Sequence, residues 1–74
     1  MKILVTGGAG FQGSHLIESL LKKKHRITIL NTPSEEAFSN IKNFPSQVKV
    51  VWGSITDPEL VDKAVREQDV VFHL

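Results

Sequence analysis

Seventy-four residues amount to about half an ordinary domain, which admits one small module or a piece of a larger one and excludes a two-domain enzyme. Nine Lys and Arg against eight Asp and Glu leave a net charge of +1, so no basic field recommends nucleic acid or an anionic membrane as a partner. The absence of Cys removes disulfide frameworks and thiolate metal sites, and His15, His25 and His73 stand too far apart to suggest a ligand cluster, so no metal is expected. A hydrophobic share of 41% beside 23% charged residues is that of a chain that folds around a core. The first apolar run stops at Val5, far short of a signal-peptide core or a membrane span, which makes a soluble cytoplasmic protein the expectation.

Ile3, Leu4 and Val5 run without interruption into a glycine cluster, the pattern of a strand buried on both faces that ends in a tight turn. From Phe11 onward, Leu16, Ile17, Leu20 and Leu21 recur at helical spacing. The cations Lys22 to Arg26 follow, where they complement the negative pole of a helix C-terminus. Ile27 to Leu30 is mostly β-branched and forms a second strand, closed by Asn31, Thr32 and Pro33. Ser34 before Glu35 and Glu36 has the form of an N-cap with acids in the first turn, and Asn40, Asn43 and Pro45 limit that helix to a few turns. Val48, Val50, Val51 and Trp52 make a third strand that Gly53 ends. A further helix starts near Thr56, Asp57, Pro58 and Glu59, where either Asp57 caps with Pro58 at the first position or Thr56 and Glu59 form a capping box. Leu60, Val61, Ala64 and Val65 then share a face, and the polar turn from Glu67 to Asp69 leads into a fourth, buried strand, Val70 to Leu74.

Strand and helix alternate, and connections of this length imply parallel strands, so the class is α/β with a doubly wound parallel sheet. The chain stops inside an apolar strand with neither cap nor polar tail, and is read as the beginning of a longer protein.

The segment from Thr6 to Gly13 carries the chemistry. Gly7, Gly10 and Gly13 lie between a strand and a helix, where amides at the helix N-terminus can face a pyrophosphate. Gly7 permits the turn out of the strand, Gly10 lets the backbone approach phosphates, and Gly13 lets the helix pack closely on the sheet. Gly8, Gly10 and Gly13 also satisfy G-x-G-x-x-G, so two related dinucleotide fingerprints stay open. A triphosphate-binding P-loop needs Lys after its last glycine, and Ser14 and His15 stand there instead. The bland alternative is a glycine-rich turn with no ligand. Of the remaining candidates, Trp52 either fills the core or edges an adenine pocket, and His73 reads as a satisfied core residue. Ser14 is placed to help bind phosphate, His15 is a surface or packing residue, and Asp57 and Glu59 are capping groups.

The stretch KILVTGGAGFQGSHL, residues 2–16, resembles the opening of the extended short-chain dehydrogenase/reductase proteins, the NAD-dependent epimerase/dehydratase family that acts on nucleotide sugars. VVWGSITDPELVDKAV and DVVFHL resemble that family's third strand with its following helix, and its fourth strand, so the likeness covers nearly the whole chain. The resemblance implies a Rossmann-like NAD-binding fold, of which residues 1–74 are the N-terminal part with the first four strands. It implies that backbone around Gly7, Gly10, Phe11, Gln12 and Gly13 meets the NAD pyrophosphate, Gln12 standing where the family usually has an aliphatic residue. The family's acidic residue after the second strand, which bonds the adenosine ribose, is Asn31 here, with Thr32 beside it. Asn bonds a hydroxyl but lacks the charge that repels a 2′-phosphate; with no Arg following to attract that phosphate, NAD stays the expected cofactor. The acidic and aliphatic pair beside the adenine is Ser54 and Ile55. Leu74 falls where the fourth strand ends near the nicotinamide ribose.

Members of the family oxidise a sugar hydroxyl by hydride transfer to NAD and then epimerise, dehydrate or decarboxylate the activated sugar, with the Tyr of a Tyr-x-x-x-Lys pair as base. This chain has no Tyr, so no catalytic residue is assigned within it. The resemblance implies a nucleotide-sugar substrate for the whole protein, leaves room for a homodimer, and gives no place to nucleic acid or a membrane. Two functions stand side by side: the NAD-binding N-terminal portion of a nucleotide-sugar epimerase or dehydratase, and a non-catalytic dinucleotide-binding module or redox sensor of the same superfamily.

Overall fold

The computed structural model describes residues 1–74, the side chain of Phe11 excepted. Strand and helix alternate along the described residues: β1 (Lys2–Thr6), α1 (Phe11–Leu21), β2 (Arg26–Asn31), α2 (Glu35–Ile41), β3 (Lys49–Trp52), α3 (Pro58–Val65) and β4 (Val70–His73). The strands pair in parallel in the order β3-β2-β1-β4. In register, Thr6 lies opposite Leu30 on one side and His73 on the other, so the C-terminal ends of β1, β2 and β4 finish together.

Side chains alternate across the sheet and divide the core in two. Ile3 and Val5 of β1 join Ile27 and Ile29 of β2 on the face that α1 and α2 cover, with Ile17 and Ala37 buried among them. Leu4 and Leu30 point to the other face, where Ala64, Leu60 and Val61 of α3 close over them. This is why β1 tolerates no polar residue between Ile3 and Val5: both of its faces are dry, and each buried aliphatic side chain contributes about 1.5–3 kcal/mol.

The helix starts follow from local chemistry. Ser34 Oγ accepts a hydrogen bond from the Ala37 N–H at 3.0 Å and opens α2. Asp57 accepts from the Leu60 N–H at 3.2 Å with Pro58 at the first helical position, so of the two starts open for α3 the Asp57 cap is the one that forms. α2 runs through Asn40 and ends at Ile41 after 7 residues, within the few turns expected of it.

The basic stretch stands at the C-terminal end of α1 as expected: the helix ends at Leu21, Lys22 is its C-cap, and Lys24 turns the chain away at φ 61° with its N–H bonded to the Leu21 carbonyl at 3.0 Å. A side chain in that left-handed conformation costs about 1 kcal/mol that glycine avoids. Lys24→Gly is therefore expected to stabilise the fold by up to about 1 kcal/mol, read as a higher urea midpoint with an unchanged slope. A lower midpoint would mean that the Lys24 side chain contributes more than its backbone strain removes.

Within residues 1–74 β4 pairs with β1 on one side only, and Val71 and Phe72 are 44% and 37% exposed where a buried strand was expected. For the same reason His73 is exposed instead of lying in the core, although its ring is satisfied, with Nδ1 2.7 Å from Thr6 Oγ1. Val65 is 39% exposed and leaves the face that Leu60, Val61 and Ala64 share.

Candidate functional site

Between β1 and α1 the chain makes a turn that only glycines allow. Gly7 adopts φ 75° and donates its N–H to the Leu30 carbonyl at 2.9 Å, which anchors the loop to the end of β2. Gly10 N–H then returns to the Gly7 carbonyl at 3.1 Å. A Cβ on Gly13 would sit 2.4 Å from Gly7 O and 2.6 Å from Gly8 Cα. The close approach expected at Gly13 is thus to the backbone of the glycine loop itself, on which the first turn of α1 rests, and not to the sheet. Gly10 is different: a Cβ there would meet only Gly7 O, at an ordinary 3.4 Å, and would otherwise project away from the protein.

The amides of this loop divide into two sets. Those of Gly7, Ala9 and Gly10 are spent internally, the Ala9 N–H on Asn31 Oδ1 at 3.2 Å. The first turn of α1, from Phe11 through Gly13, is left without a side-chain cap, because its N-cap is Gly10, and it carries no acidic residue. Uncapped first-turn amides and the positive end of the helix dipole together favour an anion.

Asn31 has a second task that its position alone did not reveal. Besides accepting from Ala9, its amide nitrogen donates to the Thr32 carbonyl at 2.9 Å, so both ends of the side chain are engaged at the rim of the loop. Opposite it, Asn40 of α2 donates to the Ala9 carbonyl at 2.8 Å. Nothing in the spacing of the sequence pointed to Asn40, since an Asn inside a helix ordinarily reads as a surface or breaking residue.

The chain runs outward from β1 to β2 and β3, then returns to place β4 on the far side of β1, so the direction of winding reverses between β1 and β4. Ligands of open α/β sheets bind outside the carboxyl ends of the strands at such a point. A cleft of about 170 Å³ opens there, lined by Thr6, Gly7, Leu30, Asn31, Thr32, Gly53, Ser54, Ile55, His73 and Leu74. Of the expected site residues, Gly7, Asn31, Thr32, Ser54, Ile55 and Leu74 line this cleft, while Gly10, Phe11, Gln12 and Gly13 stand at the start of α1. Gln12 is exposed, and the side chain of Phe11 lies outside the described residues. Ser54 Oγ is 2.7 Å from Thr56 Oγ1 and accepts from the Thr56 N–H, which shapes the turn after β3, and Ile55 is 53% exposed at the mouth. Trp52 is not part of the lining; it packs on the α1/α2 side of the core and meets Phe38 edge-on with ring centroids 4.9 Å apart. No Asp, Glu, Lys or Arg is among the described residues that line the cleft, so the positive pole there is that of the helix start and not a side-chain charge. A larger depression of about 440 Å³ at the other end of the sheet, bordered by Lys2, Arg26, Lys49 and Glu67, lies away from the glycine loop. Among the described residues, no group of three or more His, Asp or Glu gathers to hold a metal, and no helix is long and apolar enough to cross a membrane.

An α/β sheet with a glycine loop, an uncapped helix and a cleft at the reversal of winding is the architecture of dinucleotide-binding proteins. Residues 3–74 match the model of the NAD dependent epimerase/dehydratase family, and the chain belongs to that family. It is 37% identical over 73 residues to the UDP-N-acetyl-alpha-D-glucosaminuronate decarboxylase of Bacillus cytotoxicus, covering 99% of this chain and 23% of that protein. Among solved structures it is similar to the UDP-glucose 4-epimerase of Thermotoga maritima, determined with UDP-glucose. There the TM-score is 0.83 at 32% identity, over 100% of this chain and 24% of the other. It is likewise similar to the Bordetella bronchiseptica enzyme WbmG in complex with NAD, at TM-score 0.79 and 34% identity over 100% and 24% of the two chains. The chain thus spans about a quarter of the length of these relatives.

Proposed function

We propose that this chain is the NAD-binding N-terminal portion of an enzyme that epimerises, dehydrates or decarboxylates a nucleotide sugar, residues 1–74 forming the first part of its dinucleotide-binding domain. The observation that carries this reading is the uncapped start of α1 behind Gly10, where a missing side chain leaves the backbone open beside the cleft. Support comes from the relatives, among them a nucleotide-sugar decarboxylase and an enzyme determined with NAD. In this reading the amides of Phe11, Gln12 and Gly13 hold the pyrophosphate, with Gly7 and Gly10 making room for it. Asn31 and Thr32 meet the adenosine ribose, Ser54 and Ile55 flank the adenine, and Leu74 lies toward the nicotinamide ribose. When bound, NAD supplies a hydride acceptor for the sugar hydroxyl. The residues of this chain bind and orient it; the base that takes the hydroxyl proton belongs to the remainder of the enzyme.

Calorimetric titration with NAD tests the reading directly. Saturable binding of one NAD per chain is expected, and the absence of any saturable heat would overturn it.

Asn31 sets a finer expectation. Replacement by Asp keeps an acceptor for the Ala9 N–H, exchanges the donor to Thr32 for an oxygen, and adds a negative charge to a cleft that has none among its lining side chains. Repulsion of a 2′-phosphate within a few ångströms is expected to shift the ratio of NAD to NADP affinity toward NAD by about tenfold in Asn31→Asp. An unmoved ratio would place the ribose away from Asn31.

A further inference from the structure

We propose that Asn40 is a positioning residue for the dinucleotide, an inference that rests on the reading above and deepens it. The Ala9 peptide is held from both of its ends. Asn31 Oδ1 accepts its N–H at 3.2 Å, and Asn40 Nδ2 donates to its carbonyl at 2.8 Å, the first side chain arriving from the end of β2 and the second from inside α2. The Gly10 N–H, on the other side of the Ala9–Gly10 peptide plane, is tied to Gly7 O at 3.1 Å. Two successive planes ahead of the helix are therefore fixed by three hydrogen bonds, and the second of them sets the direction in which Gly10, the N-cap of α1, starts the helix.

The need for such a clamp follows from the glycines. Ala9 is flanked by Gly8 and Gly10, whose backbones have more accessible conformations than any other residue, so rotation of the planes around Ala9 meets little steric resistance. A loop bare of side chains to admit a diphosphate has, for that same reason, little torsional stiffness of its own and depends on such bonds to hold its shape. Ala9 itself is fully buried, so without Asn40 its carbonyl would face neither water nor another donor, and the plane would turn to find one. Turning it re-aims Gly10 and the first-turn amides of α1. The amide of Asn40 thus selects the loop conformation in which those donors point toward the ligand, without touching the ligand itself.

The test compares NAD, which carries the diphosphate, with adenosine, which lacks it, on the unaltered protein and on Asn40→Asp, Asn40→Leu and Asn40→Gln, with binding followed by calorimetry and by NMR. Asn40→Asp sets an oxygen against the Ala9 carbonyl, and Asn40→Leu keeps the volume but has no donor. Both are expected to weaken NAD about tenfold while adenosine binding stays within twofold, and Asn40→Gln, which keeps the donor on a longer arm, is expected to recover part of the loss. In the absence of any nucleotide, the Ala9 amide should exchange with solvent about tenfold faster in Asn40→Asp and Asn40→Leu, with the β1 amides unchanged. Equal weakening of NAD and adenosine, undiminished NAD affinity, or unchanged Ala9 exchange would each overturn the role of Asn40. If Asn40→Asp does not fold, the pair Asn40→Leu and Asn40→Gln decides by the same criteria. Failure of the unaltered protein to bind NAD is a separate result that removes the function proposed above, while the exchange measurement still reports on the clamp.

Discussion

Gly10→Val is expected to lose NAD binding by about a hundredfold or more while the protein stays folded. The two effects separate because of where the missing side chain would lie. Gly10 is the N-cap of α1 at φ −80° and ψ 179°, extended backbone that a β-branched residue adopts without strain. Its Cβ would touch nothing but the Gly7 carbonyl, at a distance ordinary for van der Waals contact. The fold is thus asked for little more than the difference in capping preference, about 1 kcal/mol. The isopropyl group instead occupies the space in front of the first-turn amides, where a diphosphate has to come within hydrogen-bond distance. The measurement is a pair: calorimetric NAD affinity, and the thermal midpoint of the ligand-free protein. Retained affinity would remove the anion cradle from the start of α1, and joint loss of affinity and fold would show Gly10 to be structural.

Gly13→Ala reverses that pattern and is expected to have the largest effect on stability, about 3 kcal/mol or more. Here the added methyl would lie 2.4 Å from Gly7 O and 2.6 Å and 2.8 Å from two backbone atoms of Gly8. None of these belongs to a flexible side chain. Relief requires that α1 lift off the loop or that the loop move, and the loop is tied to Leu30 through Gly7 and packed on Ile29 through Gly8. Since α1 also carries Ile17 into the core beside Val5 and Ile29, lifting the helix disturbs the packing of that face. A denaturant melt of Gly13→Ala should show the loss directly, with NAD affinity falling as a consequence. A midpoint within experimental error of the parent would mean that the first turn of α1 shifts at little cost. The two glycines occupy the same motif three residues apart; in the proposed reading Gly10 is bare for the ligand, whereas Gly13 is bare for the backbone.

Much of this molecule was legible in advance. The uninterrupted run Ile3-Leu4-Val5 required two dry faces, and the structure supplies α1 and α2 on one and α3 on the other. Ser34 and Asp57 announced the starts of α2 and α3 because an N-cap is a local hydrogen bond, satisfied within three residues of the side chain that makes it. Gly7 was readable for the same reason: a positive φ is a property of a single residue. Misjudged features were those that depend on neighbours distant in sequence. Val71, Phe72 and His73 have the composition of a buried strand, but burial is set by what lies on either side, and within residues 1–74 β4 has β1 alone as its neighbour. Val65 was assigned to the covered face of α3 by spacing alone, yet it is 39% exposed and does not join Leu60, Val61 and Ala64 against Leu4 and Leu30.

The order of glycines between a strand and a helix by itself determined that this chain is a doubly wound α/β protein with a bare loop at the start of its first helix, because those properties follow from torsional freedom and side-chain period along consecutive residues. Only the tertiary structure decided which amides of the loop remain available and what holds it in shape. The Ala9 peptide is gripped by Asn31, 22 residues away, and by Asn40, 31 residues away, and such partners meet only because parallel pairing of β1 with β2 carries the end of one strand and the following helix to the tip of the other. Hydrogen bonds across that separation leave no periodicity in a sequence, since their geometry is fixed by the sheet and not by the chain between them.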